Sequence, residues 1–127
     1  MLTKMKTASL QGVNGYLVTV ETDLHRGMPG FQIVGLADTT IKEAFSRIRP
    51  AIINSGYRFP REKVTVNLSP AGKPKEGSHF DLPIALGILL LTLGEEAQIE
   101  DTAFFGELSL DGKINPIRGA LPLALCA

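Results

Sequence analysis

The chain has 127 residues, with 13 basic and 13 acidic side chains and a formal net charge of zero. That length suits one domain with a single modest core, and balanced charge argues against a globally basic nucleic-acid binder while leaving room for a local patch. The lone cysteine, Cys126, excludes an internal disulfide, the start MLTKMKTASLQG lacks the apolar run of a signal peptide, and the longest apolar stretch, 82–93, falls short of the ~18 residues a membrane helix needs.

Residues 4–10 and 16–24 read as two strands, with GVNG between them as a hairpin turn. HRGMPG, Gly30 included, reads as a loop, and FQIVGL as a third strand. The three are expected to form a meander. A helix follows. Thr40 with Glu43 fits a capping box, and Asp38 is a second candidate cap. Ile41, Phe45, Ile48 and Ile52 recur at helical spacing as one apolar stripe, with Lys42, Arg47 and Arg49 off it. Pro50 removes a hydrogen bond to Ser46 and costs roughly 3 kcal/mol, so it is expected to kink or split the helix before Gly56 ends it.

Val64, Val66 and Leu68 alternate with Thr65 and Asn67, the period of a strand with one buried face. SPAGKPKEGSHF is too rich in Pro, Gly and Lys for regular structure. A helix then opens with Asp81 as N-cap and Pro83 in its first turn. It is apolar on nearly every side to Leu93, so it should be buried on most faces. Gly94 closes it, and polar EEAQIED follows with no strand assigned. Residues 103–108 and 113–117 read as strands paired around Leu110-Asp111-Gly112, because Asp-Gly favours a tight hairpin. A final helix starts near Gly119. Its apolar end, RGALPLALCA, suggests a piece of a longer protein. The order β-β-β-α-β-α-β-β-α, with helices to one side of the strands, predicts a single two-layer α+β domain over residues 1–127.

These stretches carry a resemblance. PKEG before an apolar helix, then GELSLDGKINPIRGAL, resembles the Lon-type proteolytic domain. GLADTTIKEAFSRIRPAIINSGYRFP, VTVNLSPAGKPKEGSHFDLPIALGIL and GELSLDGKINPIRGALP together resemble the N-terminal domain of the ComM family, also called magnesium-chelatase-like proteins. The resemblance covers essentially the whole chain. It implies a Lon-protease-like fold, the type that ribosomal proteins and small-molecule kinases share. It also implies a cytoplasmic protein in which a hexamer-forming AAA+ ATPase follows in the same chain. ATP and Mg would bind there, and the whole would act on DNA as a helicase in recombination and natural transformation. The present residues would then form a non-catalytic accessory domain with no cofactor of its own and no membrane contact.

Three chemistries compete. A Lon-type peptidase needs a serine and a lysine within hydrogen-bond reach. The PKDG alignment puts His79 at the serine's position, and Ser78 falls one residue early, about 100° away around a helix. The Pro116-Ile117 pair puts Pro122 where the lysine should be, so both catalytic members are missing. A second chemistry is an anion or DNA contact at the loop 72–78, where Lys73, Lys75, Ser78 and His79 precede a helix N-terminus. Glu76 and Asp81 oppose it, and GxxxxGK[ST] is absent from the 127 residues, so no ATP is expected to bind them productively. The plainer reading is a solvated loop with Lys73 and Lys75 as charged surface. A third, a magnesium chelatase component, rests on the family label, and nothing in these residues points to porphyrin chemistry. His25 and His79 lack partners at metal-ligand spacing, so no metal is expected. Arg58, Arg61 and Lys63 read as a solvated basic face rather than a DNA contact.

Overall fold

The computed structural model describes residues 1–11 and 14–117. Its first two strands follow from alternation, interrupted in β1 by Ala8, which is buried between Thr7 and Ser9. In β1 (Leu2–Gln11), Thr3, Met5, Thr7 and Ser9 are buried, and in β2 (Asn14–His25) Val18, Val20, Thr22 and Leu24 are. Antiparallel register sets Met5 opposite Val20 and Thr7 opposite Val18, so both sets share one face. Gln11 pairs with Asn14, as the expected hairpin requires, while Gly12 and Val13 lie outside the described residues.

The sheet order is β3-β4-β2-β1-β5, with β3 at Gly30–Val34, β4 at Lys63–Ser69 and β5 at Ala97–Ala103. The three opening strands therefore do not form a meander. β4 lies between β2 and β3, antiparallel to the first and parallel to the second. Burial gives the reason. Val64, Val66 and Leu68 are wholly buried and suit an interior strand, whereas Phe31 and Ile33 are half-buried and Gln32 and Val34 exposed, as an edge tolerates. A second correction is β5 itself. EEAQIED contributes a seven-residue edge strand, parallel to β1, in which Ala97 and Ile99 alternate with Gln98 and Glu100. The strand expected over 103–108 shrinks to β6, Glu107–Leu108, which pairs with β7, Ile114–Asn115, around the expected Asp111-Gly112 turn. The expected final helix lies in residues outside those described.

The helical segment before β4 divides, but not at Pro50. α1 spans Thr39–Lys42 and α2 spans Phe45–Asn54. The break falls at Glu43 and Ala44, where the amides of Ala44, Ser46 and Arg47 bond three residues back rather than four. It lets Ile41 and Ala44 join Ile48, Ala51 and Ile52 in the core. Pro50 is carried inside α2, and the carbonyl it leaves free belongs to Ser46, on the solvent side. Asp38, not Thr40, caps α1, its Oδ1 accepting from the Ile41 amide at 2.8 Å.

α3 (Asp81–Thr92) lies across β1 and β2, with Ile84, Gly87, Ile88 and Leu91 buried. Its approach is close. A Cβ on Gly87 would stand 2.8 Å from the hydroxyls of both Thr3 and Thr22. Leu82, Leu86 and Leu89 turn instead toward α2 and are half-buried. Helices thus cover one face of a five-stranded mixed sheet, the expected two-layer α+β arrangement.

Candidate functional site

The segment 70–77 joins the end of β4 to α3 and is tied down along its length. Lys75 bridges the segment before α1, its amide donating to the Leu36 carbonyl and its carbonyl accepting from the Asp38 amide, both at 3.0 Å. Ser9 Oγ at the end of β1 accepts from the Glu76 amide at 3.3 Å, and the Tyr16 hydroxyl at the start of β2 donates to the Pro74 carbonyl. Asp38 serves twice, because its second oxygen accepts from the Gly77 amide at 3.3 Å. The loop is irregular in backbone yet anchored by β1, β2 and the lead into α1.

This anchoring separates the candidate residues. Lys75 is not surface charge. It is 1% exposed, and its ammonium donates to the carbonyls of Gly35, at 2.8 Å, and Pro70. Burial pushes its pKa down. Lys73 is exposed, with Nζ 5.0 Å from the centre of the Tyr16 ring, a cation–π contact contributing about 0.5–1 kcal/mol. Ser78 is half-buried and opens a turn of 3-10 helix, Ser78–Phe80, that runs directly into α3. His79 is 5% exposed, and its Nε2–H donates to the Ala8 carbonyl at 2.7 Å, which fixes the tautomer. Burial lowers its pKa against the opposing pull of that carbonyl, Asp81 and Asp38, so the ring is held neutral. The ring lies so close to Gly77 that a Cβ there would stand 2.6 Å from Nδ1. With φ at +112°, residue 77 is glycine on both counts.

Asp81 is not the cap of α3. The preceding 3-10 turn places it in helical backbone, and its fully buried carboxylate faces sideways to Arg47 of α2. Arg47 donates Nε to one oxygen at 2.7 Å and Nη2 to the other at 2.9 Å, and the Leu108 amide adds a third bond at 3.1 Å. Burial raises the Asp81 carboxyl above its ordinary 3.8 against the pull of these donors. All three groups facing it donate, the complement of an ionised carboxylate. The same contact raises the Arg47 pKa and leaves its guanidinium charged. The helix end is occupied too. The Leu82 amide donates to the Gly106 carbonyl at 2.9 Å, and the Gly106 amide returns to the His79 carbonyl at 3.0 Å.

The four candidates therefore do not converge on one open pocket. Lys73 faces solvent, Lys75 and His79 are sealed, and Ser78 sits between. Arg47, Asp38, Tyr16 and Ser9 organise the region and were not among the candidates. The available signal was Asp81 itself, an acid heading an otherwise apolar helix. Residues 20–127 match the family described as subunit ChlI of Mg-chelatase.

The chain belongs to that family.

Among its relatives, this ChlI-family chain is 44% identical over 124 residues to the uncharacterized protein YifB of Escherichia coli, covering 97% of the chain and 24% of YifB. It is 44% identical over 117 residues to the competence protein ComM of Haemophilus influenzae, covering 91% of the chain and 23% of ComM. A more distant match, 28% identical over 120 residues, joins 89% of the chain to 15% of Lon protease 2 of Syntrophobacter fumaroxidans. The chain thus spans about a quarter of the length of the YifB and ComM relatives it matches. Among the described residues, no helix is long and apolar enough to cross a membrane.

Proposed function

We propose that this ChlI-family chain is a non-catalytic accessory domain of a ComM-type AAA+ ATPase. The motor, with its ATP and Mg, would lie elsewhere in the same protein and assemble as a cytoplasmic hexamer. The whole would act on DNA in recombination or natural transformation. The observation that carries the reading is His79. At the position where the Lon alignment asks for a nucleophile, a neutral imidazole is buried and spent on the Ala8 carbonyl. With no activated nucleophile there, the loop's remaining chemistry is positive charge held in place, and Lys73 supplies it.

A lysine so placed positions a phosphate backbone and does not read sequence. In the whole protein, Lys73→Glu should lower affinity for labelled duplex DNA and flatten its salt dependence by about 0.9 in the log–log slope for each phosphate no longer neutralised. ATP hydrolysis without DNA should not change. Several copies in one assembly would let weak contacts add through effective concentration. Fluorescence anisotropy at two salt concentrations measures the slope, and an unchanged slope in the variant would remove the loop from DNA handling. Lys75 is a poor substitute in this test, because its buried ammonium makes any charge reversal a folding defect.

A further inference from the structure

The far end of β4 carries a different surface. Three arginines, Arg49 of α2 with Arg58 and Arg61 of the connection into β4, ring a groove of about 490 Å³ whose floor is Phe45, Ile53 and Phe59. That volume lies in the range of small-ligand sites. Two of the floor's three apolar residues are held by ring packing, Phe45 at 4.7 Å on Phe31 and edge-on at 5.6 Å to Phe59, while Ile53 is 42% exposed. Glu62 is the one acid in the lining. Among the described residues none of the three arginines has an ion-pair partner within 4 Å. Arg26 and Lys63 belong to the same end of the sheet, where β2 finishes and β4 begins. Four of the 13 acids cluster elsewhere. Glu95, Glu96, Glu100 and Asp101 are exposed on or beside β5, and the strand order puts β5 at the edge opposite β3. Zero net charge therefore coexists with a local basic patch and a local acidic edge.

In place of the solvated face that residue type suggests for Arg58 and Arg61, we infer that this groove binds a single strand of nucleic acid, with phosphates on Arg49, Arg58 and Arg61 and a base against Phe45, Ile53 and Phe59. Planar guanidiniums match phosphate oxygens in pairs. The apolar floor selects a single strand, because duplex DNA keeps its base faces stacked inside, whereas an unpaired base offers a flat face to an aromatic surface. An acidic peptide would satisfy the arginines, but it would fill the floor only where it also carried an aromatic or aliphatic side chain. Among the described residues, a second copy of the chain would offer its acidic β5 edge, a strand edge rather than a flexible polymer able to enter a groove. The inference rests on the DNA reading above for the polymer, but it uses a face about 20 Å from Lys73, the length of β4.

The test titrates labelled oligothymidylate, and an abasic oligomer of equal length, with the chain at low salt by fluorescence anisotropy. The abasic strand keeps the phosphates and loses the bases, so it should bind at least about fivefold more weakly for each base seated. R58A/R61A changes two exposed side chains, should leave the melting temperature unchanged, and should flatten the salt slope on the single strand by about 1.4. Equal binding of both oligomers would overturn the base pocket, and an unchanged slope would overturn the arginine contacts. Equal competition by polyglutamate, or self-association that R58A/R61A abolishes, would overturn the choice of partner. In the whole protein, a slope lowered by Lys73→Glu but not by R58A/R61A would remove the groove and leave the previous reading standing. No binding of any DNA by the whole protein would remove both.

Discussion

The pair Arg47–Asp81 ties α2, the head of α3 and β6 together, and its removal gives the sharpest test of the fold. In Arg47→Met the Asp81 carboxylate stays at 0% exposure and keeps one of its three donors, the Leu108 amide. Breaking a buried pair from one side in this way costs about 3–5 kcal/mol. Asp81→Asn should cost less, about 1–3 kcal/mol, because Arg47 is partly exposed and retains the Thr40 carbonyl at 2.9 Å and Glu43 at 3.3 Å. Urea denaturation near neutral pH reads the difference. With a slope of about 2 kcal/mol per molar, Arg47→Met should move the midpoint down by about 2 M. The double variant R47M/D81L should be more stable than R47M, since no buried charge is left unpaired. A pH series adds an independent signature. The Asp81 carboxyl is already raised with Arg47 present; without Arg47, burial and Glu107 raise it further against the Leu108 amide alone, so the folded variant binds a proton more tightly still. The deficit of Arg47→Met is then greatest above the variant's raised value and shrinks as pH falls through it toward the wild type's own, less raised value. If R47M is no worse than D81N, and its deficit stays flat from about pH 7 to about pH 5, the buried-pair reasoning fails.

Three further outcomes follow from named contacts. His79 is held below its ordinary 6.5, so stability is full above 6.5 and falls as pH drops from there toward the folded value; His79→Gln, whose amide can still donate to Ala8, should flatten that arm in pH-dependent urea titrations. Gly87→Ala gains about 1 kcal/mol of helix propensity but drives a methyl onto Thr3 and Thr22 at about 1–3 kcal/mol, so its melting temperature should fall, and a rise would refute the close approach. Ile84→Asp should abolish cooperative unfolding, because Ile84 is wholly buried, whereas half-buried Leu86→Asp should still unfold cooperatively at a lower temperature.

Local chemistry made much of the architecture legible. The alternation of Val64, Val66 and Leu68, the apolar run of α3 closed by Gly94 and the Asp111-Gly112 turn each act over a few residues, and each appears where the sequence places it. The ChlI-family membership was legible for a related reason, since long ordered motifs survive as text. What the sequence left open depends on partners distant in the chain. Period-2 patterning makes a strand without naming its neighbour, so β4 could enter between β2 and β3, and the polar β5 needed β1 beside it to be a strand at all. Residue type alone could not separate Lys73 from Lys75. They are two positions apart, yet one meets solvent and the other meets the Gly35 and Pro70 carbonyls. Asp81 reads as a helix cap until Arg47, 34 residues earlier, arrives to claim its carboxylate. Arg49, Arg58 and Arg61 are three scattered charges in the sequence. Only the packing of Phe45 of α2 on Phe31 of β3 and on Phe59 of the connection into β4 gathers them, because like charges converge where apolar contacts hold their backbones together.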